Sequence, residues 1–253
     1  MPHTADRTAA TRTATRRRAA TATALFALLV ASATGCGDRS EGKTDGKGTD
    51  DKPASGSYTT VSAIPESIAP DGTTIRVGSP QAHTVVHLYE DLRCPVCKDF
   101  ETQGSGESLR TMVMTGKVRV EYTLASFLDD RLGGQGSVKA ANALRAAVDQ
   151  GKFVEYHELL YRNQPEESVD GFTDAYLLET ASKVEGLRGP AFDAAVKGMK
   201  HRAFVTASEK AFETSGAQGT PSMKVNGKLV GSAMSDMMFD PASLPLLITL
   251  MSA

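Results

Sequence analysis

Apolar and polar positions follow two different periods along this chain, and the switch between them lays out its elements. Period two marks strands. Thr84-Val85-Val86-His87-Leu88-Tyr89 is β-branched and aromatic, and Val118-Arg119-Val120-Glu121-Tyr122 alternates apolar with polar. Ser222-Met223-Lys224-Val225 and Lys228-Leu229-Val230 flank Asn226-Gly227, a strong hairpin signal. Thr59 to Ile64 and Thr73 to Val77, on either side of the Asp71-Gly72 turn signal, predict a further hairpin or edge strand. Between Ser137 and Ser215 the period becomes helical. Val138, Ala141, Leu144 and Val148 share one face, Phe153, Tyr156 and Leu160 another, and Phe204, Ala207, Ala211 and Phe212 a later one. Pro190 starts a helix and Gly216 stops one, so four or five helices are expected, with core packing as the role of their aromatic residues. Asp240-Pro241 is expected to cap a last helix that lays Leu244, Leu247 and Met251 on the sheet. The sum is an α/β chain with a helical module, about residues 135–216, set between strands.

Chemistry enters directly after the Thr84 strand, at Cys94-Pro95-Val96-Cys97. Pro95 suits the first turn of a helix, where its missing N–H would be unpaired in any case. Cys94 then stands at a helix N-terminus, whose free N–H groups and macrodipole stabilise an anion. It is expected to be the more acidic, exposed thiol, with Cys97 one turn in as its resolving partner. Gly104 and Gly106 are expected to kink this helix and Gly116 to end it. Two cysteines at this spacing also serve zinc sites. No second pair follows, and His83, His87, His157 and His201 are scattered, which reads as ordinary surface or strand histidines. No metal ligand and no cofactor is assigned.

The N-terminal composition sets the compartment. Arg12, Arg16, Arg17 and Arg18 form a basic region, followed by an apolar stretch from Ala19 to Ala31 that is too short for the roughly twenty residues of a bilayer span. Residues 1–35 therefore read as an export signal. Ala33-Thr34-Gly35-Cys36 resembles a bacterial lipobox, with Ala33 where that motif usually has Leu. The resemblance implies cleavage before Cys36 and lipidation of its thiol, which accounts for the odd cysteine of three. Ala31-Ser32-Ala33 also fits the cleavage site of simple secretion. Residues 36–57 are Gly, Asp, Lys, Ser and Thr with almost nothing to bury, a tether whose root-mean-square reach is about 25 Å. Residues 58–253 form one folded domain. Without the signal, 23 cationic side chains face 29 acidic ones, a formal charge of −6. That balance and the lack of an aromatic cluster argue against nucleic-acid binding.

A second motif lies 126 residues beyond the first cysteine. Gly219-Thr220-Pro221-Ser222 enters the Asn226-Gly227 hairpin. A CPxC pair after a strand, a helical insertion and a Thr-Pro loop before a hairpin together resemble the DsbA-like branch of the thioredoxin superfamily. The resemblance covers about Thr84 to Ala253. It implies a thioredoxin-like fold, a cis Pro221 facing the disulfide, Cys94 as attacking and Cys97 as resolving cysteine, and Thr220-Pro221 as the loop that presents a substrate strand. It implies as partners the cysteine-containing exported client proteins, a membrane redox partner and, through Cys36, the lipid bilayer. No dimerisation region is evident, so a monomer is expected.

Three positions depart from or tune that pattern. Leu88 stands where members often carry a buried acid, with Glu90 and Asp91 nearest, which puts proton transfer at Cys97 in question. Asp91 matches an acid common in exported relatives and would either tune the site or cap the turn. Arg93 replaces a frequent aromatic, either supporting the thiolate or facing water. Between the cysteines, Val96 supplies neither charge nor donor where strong oxidants carry His, so an intermediate potential is expected.

The reading is an extracytoplasmic thiol-disulfide oxidoreductase, anchored as a lipoprotein or else secreted, with the oxidase direction favoured. Its rivals are a thioredoxin-like lipoprotein that holds copper or unfolded peptide without turnover, and one whose disulfide only locks a helix start.

Overall fold

The computed structural model describes residues 56–253. The expected export signal, Cys36 and all but the last two residues of the expected tether lie outside the described residues. Two strands open the fold, β1 (Glu66–Ile68) and β2 (Ile75–Val77), paired antiparallel with Glu66 opposite Val77. The Asp71 carboxylate ties their turn by accepting from the Thr73 and Thr74 N–H groups. The strand expected over Thr59 to Ile64 is instead a 3-10 turn at Val61–Ala63. Ile64 N–H donates to Val61 O and the Thr60 and Ser62 hydroxyls bond each other, so local polar contacts outweigh β-branched propensity there.

β3 (Thr84–Asp91), β4 (Val118–Ala125), β5 (Ser222–Val225) and β6 (Lys228–Leu229) complete a six-stranded sheet of order β1-β2-β4-β3-β5-β6. β3 and β4 run parallel in a register that carries Thr84 opposite Val118 through to Asp91 opposite Ala125. Both strands therefore outrun their expected ends, because that pairing holds Glu90, Asp91 and Thr123 to Ala125 in the core. Alternation along β3 sends Tyr89 to one face, against Phe212, and Glu90 to the other, against His157.

The cysteine helix breaks rather than kinks. Gly104, at φ 107°, ends α1 (Pro95–Thr102) and starts α2 (Ser105–Met114), because a left-handed residue cannot continue a helix. Gly106 allows the two pieces to close on each other. A Cβ there would come within 2.5 Å of Glu101 Oε2 and 2.8 Å of Glu101 O. Gly106→Ala is expected to lower stability by about 1–3 kcal/mol through overpacking, checked by denaturant unfolding.

Between β4 and β5 stand a short α3 (Phe127–Leu132) and the five helices of the expected module: α4 (Gly136–Val148), α5 (Phe153–Arg162), α6 (Asp174–Ala181), α7 (Pro190–Lys197) and α8 (Arg202–Glu213). The aromatic stripes pack as core: Phe153, Tyr156, Leu160 and Phe192 are buried. The C-terminal end holds α9 (Ser235–Phe239) and α10 (Leu244–Ser252). Asp240 organises the turn before α10, accepting from Ala242 N–H and the Ser243 hydroxyl, rather than capping the helix directly. Leu244 and Leu247 are buried as expected, with Met251 packed at the edge of the same core.

Candidate active site

Cys94 is the N-cap of α1, in extended conformation, and Pro95 occupies the first turn. The helix start delivers the Val96 and Cys97 backbone N–H groups to the Cys94 sulfur. The Cys97 thiol hydrogen-bonds the same sulfur and is the largest influence on it. Burial opposes, and Thr220 supports with a further hydrogen bond. The outcome is a Cys94 thiol held down at about 6, against an ordinary 9.0. Cys97 is driven the other way, well above 9.0, chiefly by burial and then by its bond to Cys94 and the charge of Glu90. One acidic and one resistant thiol thus share a turn of helix.

Cys94 is less open than expected: 7% exposed, beside 0% for Cys97. The cover is the loop before β5. Cys94 Sγ lies 3.3 Å from Thr220 O as donor, and the Thr220-Pro221 bond is cis. The buried Thr220 hydroxyl has no partner other than the Cys94 sulfur, to which it donates when Cys94 ionises. Val96, 46% exposed, leaves an apolar shoulder beside the pair. The Cys94-Cys97 pair and the Thr220-Pro221 bond, 126 residues apart in sequence, are therefore brought together.

Asp91 takes the capping role. Its carboxylate accepts from Arg93 N–H (2.9 Å), Leu128 N–H (3.2 Å) and the Ser137 hydroxyl (2.6 Å), while burial pushes it up to about 7. Arg93 neither supports the thiolate nor faces water. It is buried, bonding Asp129 Oδ1 (2.7 Å), Gly133 O (2.8 Å) and Glu167 O (2.9 Å), because the turn directs it into the helical module. Gln164 of the module donates to Leu92 O (2.8 Å) and Cys94 O (2.9 Å), gripping the cysteine turn from the other side.

His157 is no surface or strand histidine but a buried residue of α5. Its Nε2 lies 3.0 Å from Glu90 Oε2. Glu90 and Glu101 are within hydrogen-bonding reach of each other, and burial raises both well above the carboxylate range, so they hold a proton at neutral pH. The ligand-type atoms of Glu90, Glu101 and His157 lie within 4.8 Å of one another, the one grouping among the described residues with metal-ligand spacing. Sequence patterning offered a signal for two of these. Glu90 follows Val86 and Leu88 at period two onto the core face, and Glu101 lies one turn beyond Cys97 on α1. Nothing local marked His157 or Gln164.

A strand-to-helix turn carrying an acidic thiol over a resistant one, covered by a cis-proline loop, forms the candidate site on a thioredoxin-like scaffold. A sequence profile of the thioredoxin family matches residues 70–241. The chain belongs to that family. Its fold resembles oxidised DsbA of Mycobacterium tuberculosis, at 25% identity and TM-score 0.58 over 75% of this chain and 93% of that one. It also resembles BdbD of Bacillus subtilis, at 20% identity and TM-score 0.59 over 70% and 91%. A third likeness is to MdbA, a thiol-disulfide oxidoreductase from Corynebacterium diphtheriae, at 21% identity and TM-score 0.56 over 69% and 91%. No curated protein matches in sequence. Fold and dithiol together are those of a DsbA-like thiol-disulfide oxidoreductase. No helix among the described residues is long and apolar enough to cross a membrane.

Proposed function

We propose that this protein donates disulfides to exported clients from the outer face of the cell membrane, to which a lipidated Cys36 tethers it. A client thiolate attacks Cys94 Sγ of the Cys94-Cys97 disulfide. Cys97 leaves and takes up a proton, and a second client thiol then displaces Cys94 as a thiolate. Thr220 offers backbone groups to an extended client strand, a recognition that reads backbone rather than sequence. A membrane partner reoxidises the pair. The observation that supports the direction is the geometry at Cys94, the N-cap of α1, where the Cys97 thiol, Thr220 and the Val96 and Cys97 N–H groups converge on the sulfur: a leaving thiolate stabilised in this way favours the reduced enzyme, which makes the disulfide oxidising. Val96, having no donor for that thiolate, keeps the potential below that of the strongest oxidants.

The equilibrium potential of the pair in glutathione buffers, read by mass-shift alkylation because the chain has no Trp, tests this reading. A value above about −180 mV is expected, and one below about −250 mV would mark a reductase or a structural bond instead. Stability gives a second readout. Cys94 titrates lower in the folded reduced protein than in the unfolded chain. The resulting stabilisation is full above about pH 9, shrinks as pH falls, and is gone below about pH 6. Reduced protein is therefore expected to gain stability over oxidised protein between those limits, in paired thermal melts.

A further inference from the structure

The helix α10 carries no charged side chain over Leu244–Ser252. Leu244, Leu247 and Ile248 are buried on its inner side. On its outer side Leu246, Thr249, Leu250 and Ala253 follow at helical spacing and are all exposed, Leu246 at 55% and Leu250 at 60%. A helix that is apolar all round is normally covered all round. The hydroxyls about this face are already spent. Thr249 donates to Pro245 O (2.8 Å) and Ser252 to Ile248 O (2.6 Å) within α10. Across a groove of about 370 Å³, Ser108 of α2 donates to Pro241 O, Thr111 to Glu107 O and Thr115 to Met112 O. Lys117 is the one charged residue lining that groove among the described residues.

The place where the chain enters the fold identifies what covers the face. Gly56 packs on Gly116, where a Cβ would come within 2.9 Å of Gly56 C, and Tyr58 N–H donates to Met114 O at 2.7 Å. The expected tether therefore joins the domain at the C-terminal end of α2, beside Thr115 and Lys117 of the groove. The last turn of α10 lies at the same end of the sheet. Thr84 Oγ1 meets Ser252 Oγ at 3.4 Å, and Thr84 pairs with Val118 where β3 and β4 begin. Cys94 follows the opposite end of β3, roughly 23 Å away along an eight-residue strand. A second copy of the chain fits the face less well. A nine-residue helix is about 14 Å long and about 10 Å across, a footprint well short of the roughly 800 Å² that each partner of a stable dimer buries.

We propose, on the anchored reading above, that the outer face of α10 rests on the lipid surface to which Cys36 tethers the domain. Leu246 and Leu250 enter the headgroup boundary, Lys117 stands beside them for lipid phosphates, and the dithiol is turned outward to clients. So small a face binds a free chain weakly, but the anchor holds it at high effective concentration beside the bilayer.

The test uses the exported form of the chain, from Cys36 onward, with its Cys94–Cys97 disulfide closed so that Cys36 is the only free thiol. Coupling that thiol to a maleimide lipid in phosphatidylcholine–phosphatidylglycerol vesicles imposes the anchor, whatever the cell does at Cys36. The protein has no Trp, so Leu250→Trp is a sole reporter on the face, and Leu132→Trp, at a 44% exposed position of α3 beyond the C-terminal end of β4, is one away from it. With brominated acyl chains, Leu250→Trp emission is expected to shift to the blue and fall about twofold or more, as a ring in the headgroup boundary does, while Leu132→Trp stays as in plain vesicles. Adding Leu246→Glu is expected to abolish that quenching, with coupling yield, circular dichroism and client turnover unchanged. No quenching at Leu250→Trp would overturn the docking, as would equal quenching at both positions or quenching that survives Leu246→Glu. Sedimentation of the uncoupled chain as a dimer that Leu246→Glu dissociates would overturn it too, by giving the face to a second copy. An exported chain whose intact mass shows no lipid on Cys36 would refute the anchor itself, and with it docking in the cell, a result separate from the vesicle data.

Discussion

Cys97→Ser is expected to turn the protein into a trap, with mixed disulfides to clients accumulating on Cys94, and Cys94→Ser is expected to abolish them. The asymmetry follows from two thiols tuned in opposite directions. With Cys94 near 6, roughly nine-tenths of it is thiolate at pH 7, whereas a thiol held above 9.0 is below about one per cent ionised. Access reinforces the bias, because Cys94 is 7% exposed against 0% for Cys97 and its sulfur bonds the Thr220 carbonyl of the loop. Turnover of a reduced, unfolded client is expected to fall more than about a hundredfold in either variant, since the two thiols act as one unit. Non-reducing gels separate the two failures. Covalent adducts appear with Cys97→Ser and none with Cys94→Ser. Adducts on Cys97 in the Cys94→Ser protein would reverse the assignment, and full turnover without Cys94 would remove the pair from the chemistry.

The cysteine turn and the hairpin were legible because each is a local signal, a proline in a first turn after a β-branched run and an Asn-Gly dipeptide, whereas the cis form of the Thr220-Pro221 bond came only from the resemblance. Their meeting was legible only through resemblance, since 126 residues separate Cys94 from Thr220 and no periodicity reports that distance. The helical module was readable for the same local reason, its apolar stripes being continuous. The Thr59 to Ile64 segment was not, because its Thr and Ser side chains bond locally, and strand assignment there depends on a pairing that β2 makes with Glu66–Ile68 instead.

The polar interior was the hardest to see. Leu88 stands where related chains often carry a buried acid, yet β3 runs on two residues beyond its expected end and buries Glu90 on the same face. The alternation that identified the strand also placed that carboxyl, once the strand end was correct. Arg93 illustrates the converse. A cation beside a reactive thiol suggests thiolate support, but a buried guanidinium goes where its donors find acceptors, and here the two terminal nitrogens find three, on Asp129, Gly133 O and Glu167 O.

That destination gives Arg93 the largest stability effect expected outside the cysteines. The guanidinium is 2% exposed and bridges three segments: Asp129 in α3, the Gly133 carbonyl after it, and the Glu167 carbonyl in the α5–α6 connection. Asp129 in turn accepts from Ser137 N–H at 3.0 Å and Val138 N–H at 2.9 Å, capping the first turn of α4. Removing the cation leaves that carboxylate buried without its counter-charge and two carbonyls without donors, the situation in which losing one partner of a buried pair costs about 3–5 kcal/mol. Arg93→Leu is expected to lower the melting temperature by about 10 °C in a domain of this size. Arg93→Lys recovers only part of the loss, because a single ammonium cannot reach all three acceptors in the plane the fork spans. Adding Asp129→Asn to Arg93→Leu should recover stability relative to Arg93→Leu alone, since it removes the stranded charge while keeping an oxygen for the α4 N–H groups. A melting shift under about 2 °C for Arg93→Leu would show that the module docks without this pair. A double variant no better than the single would show that lost carbonyl contacts, rather than the buried charge, set the cost.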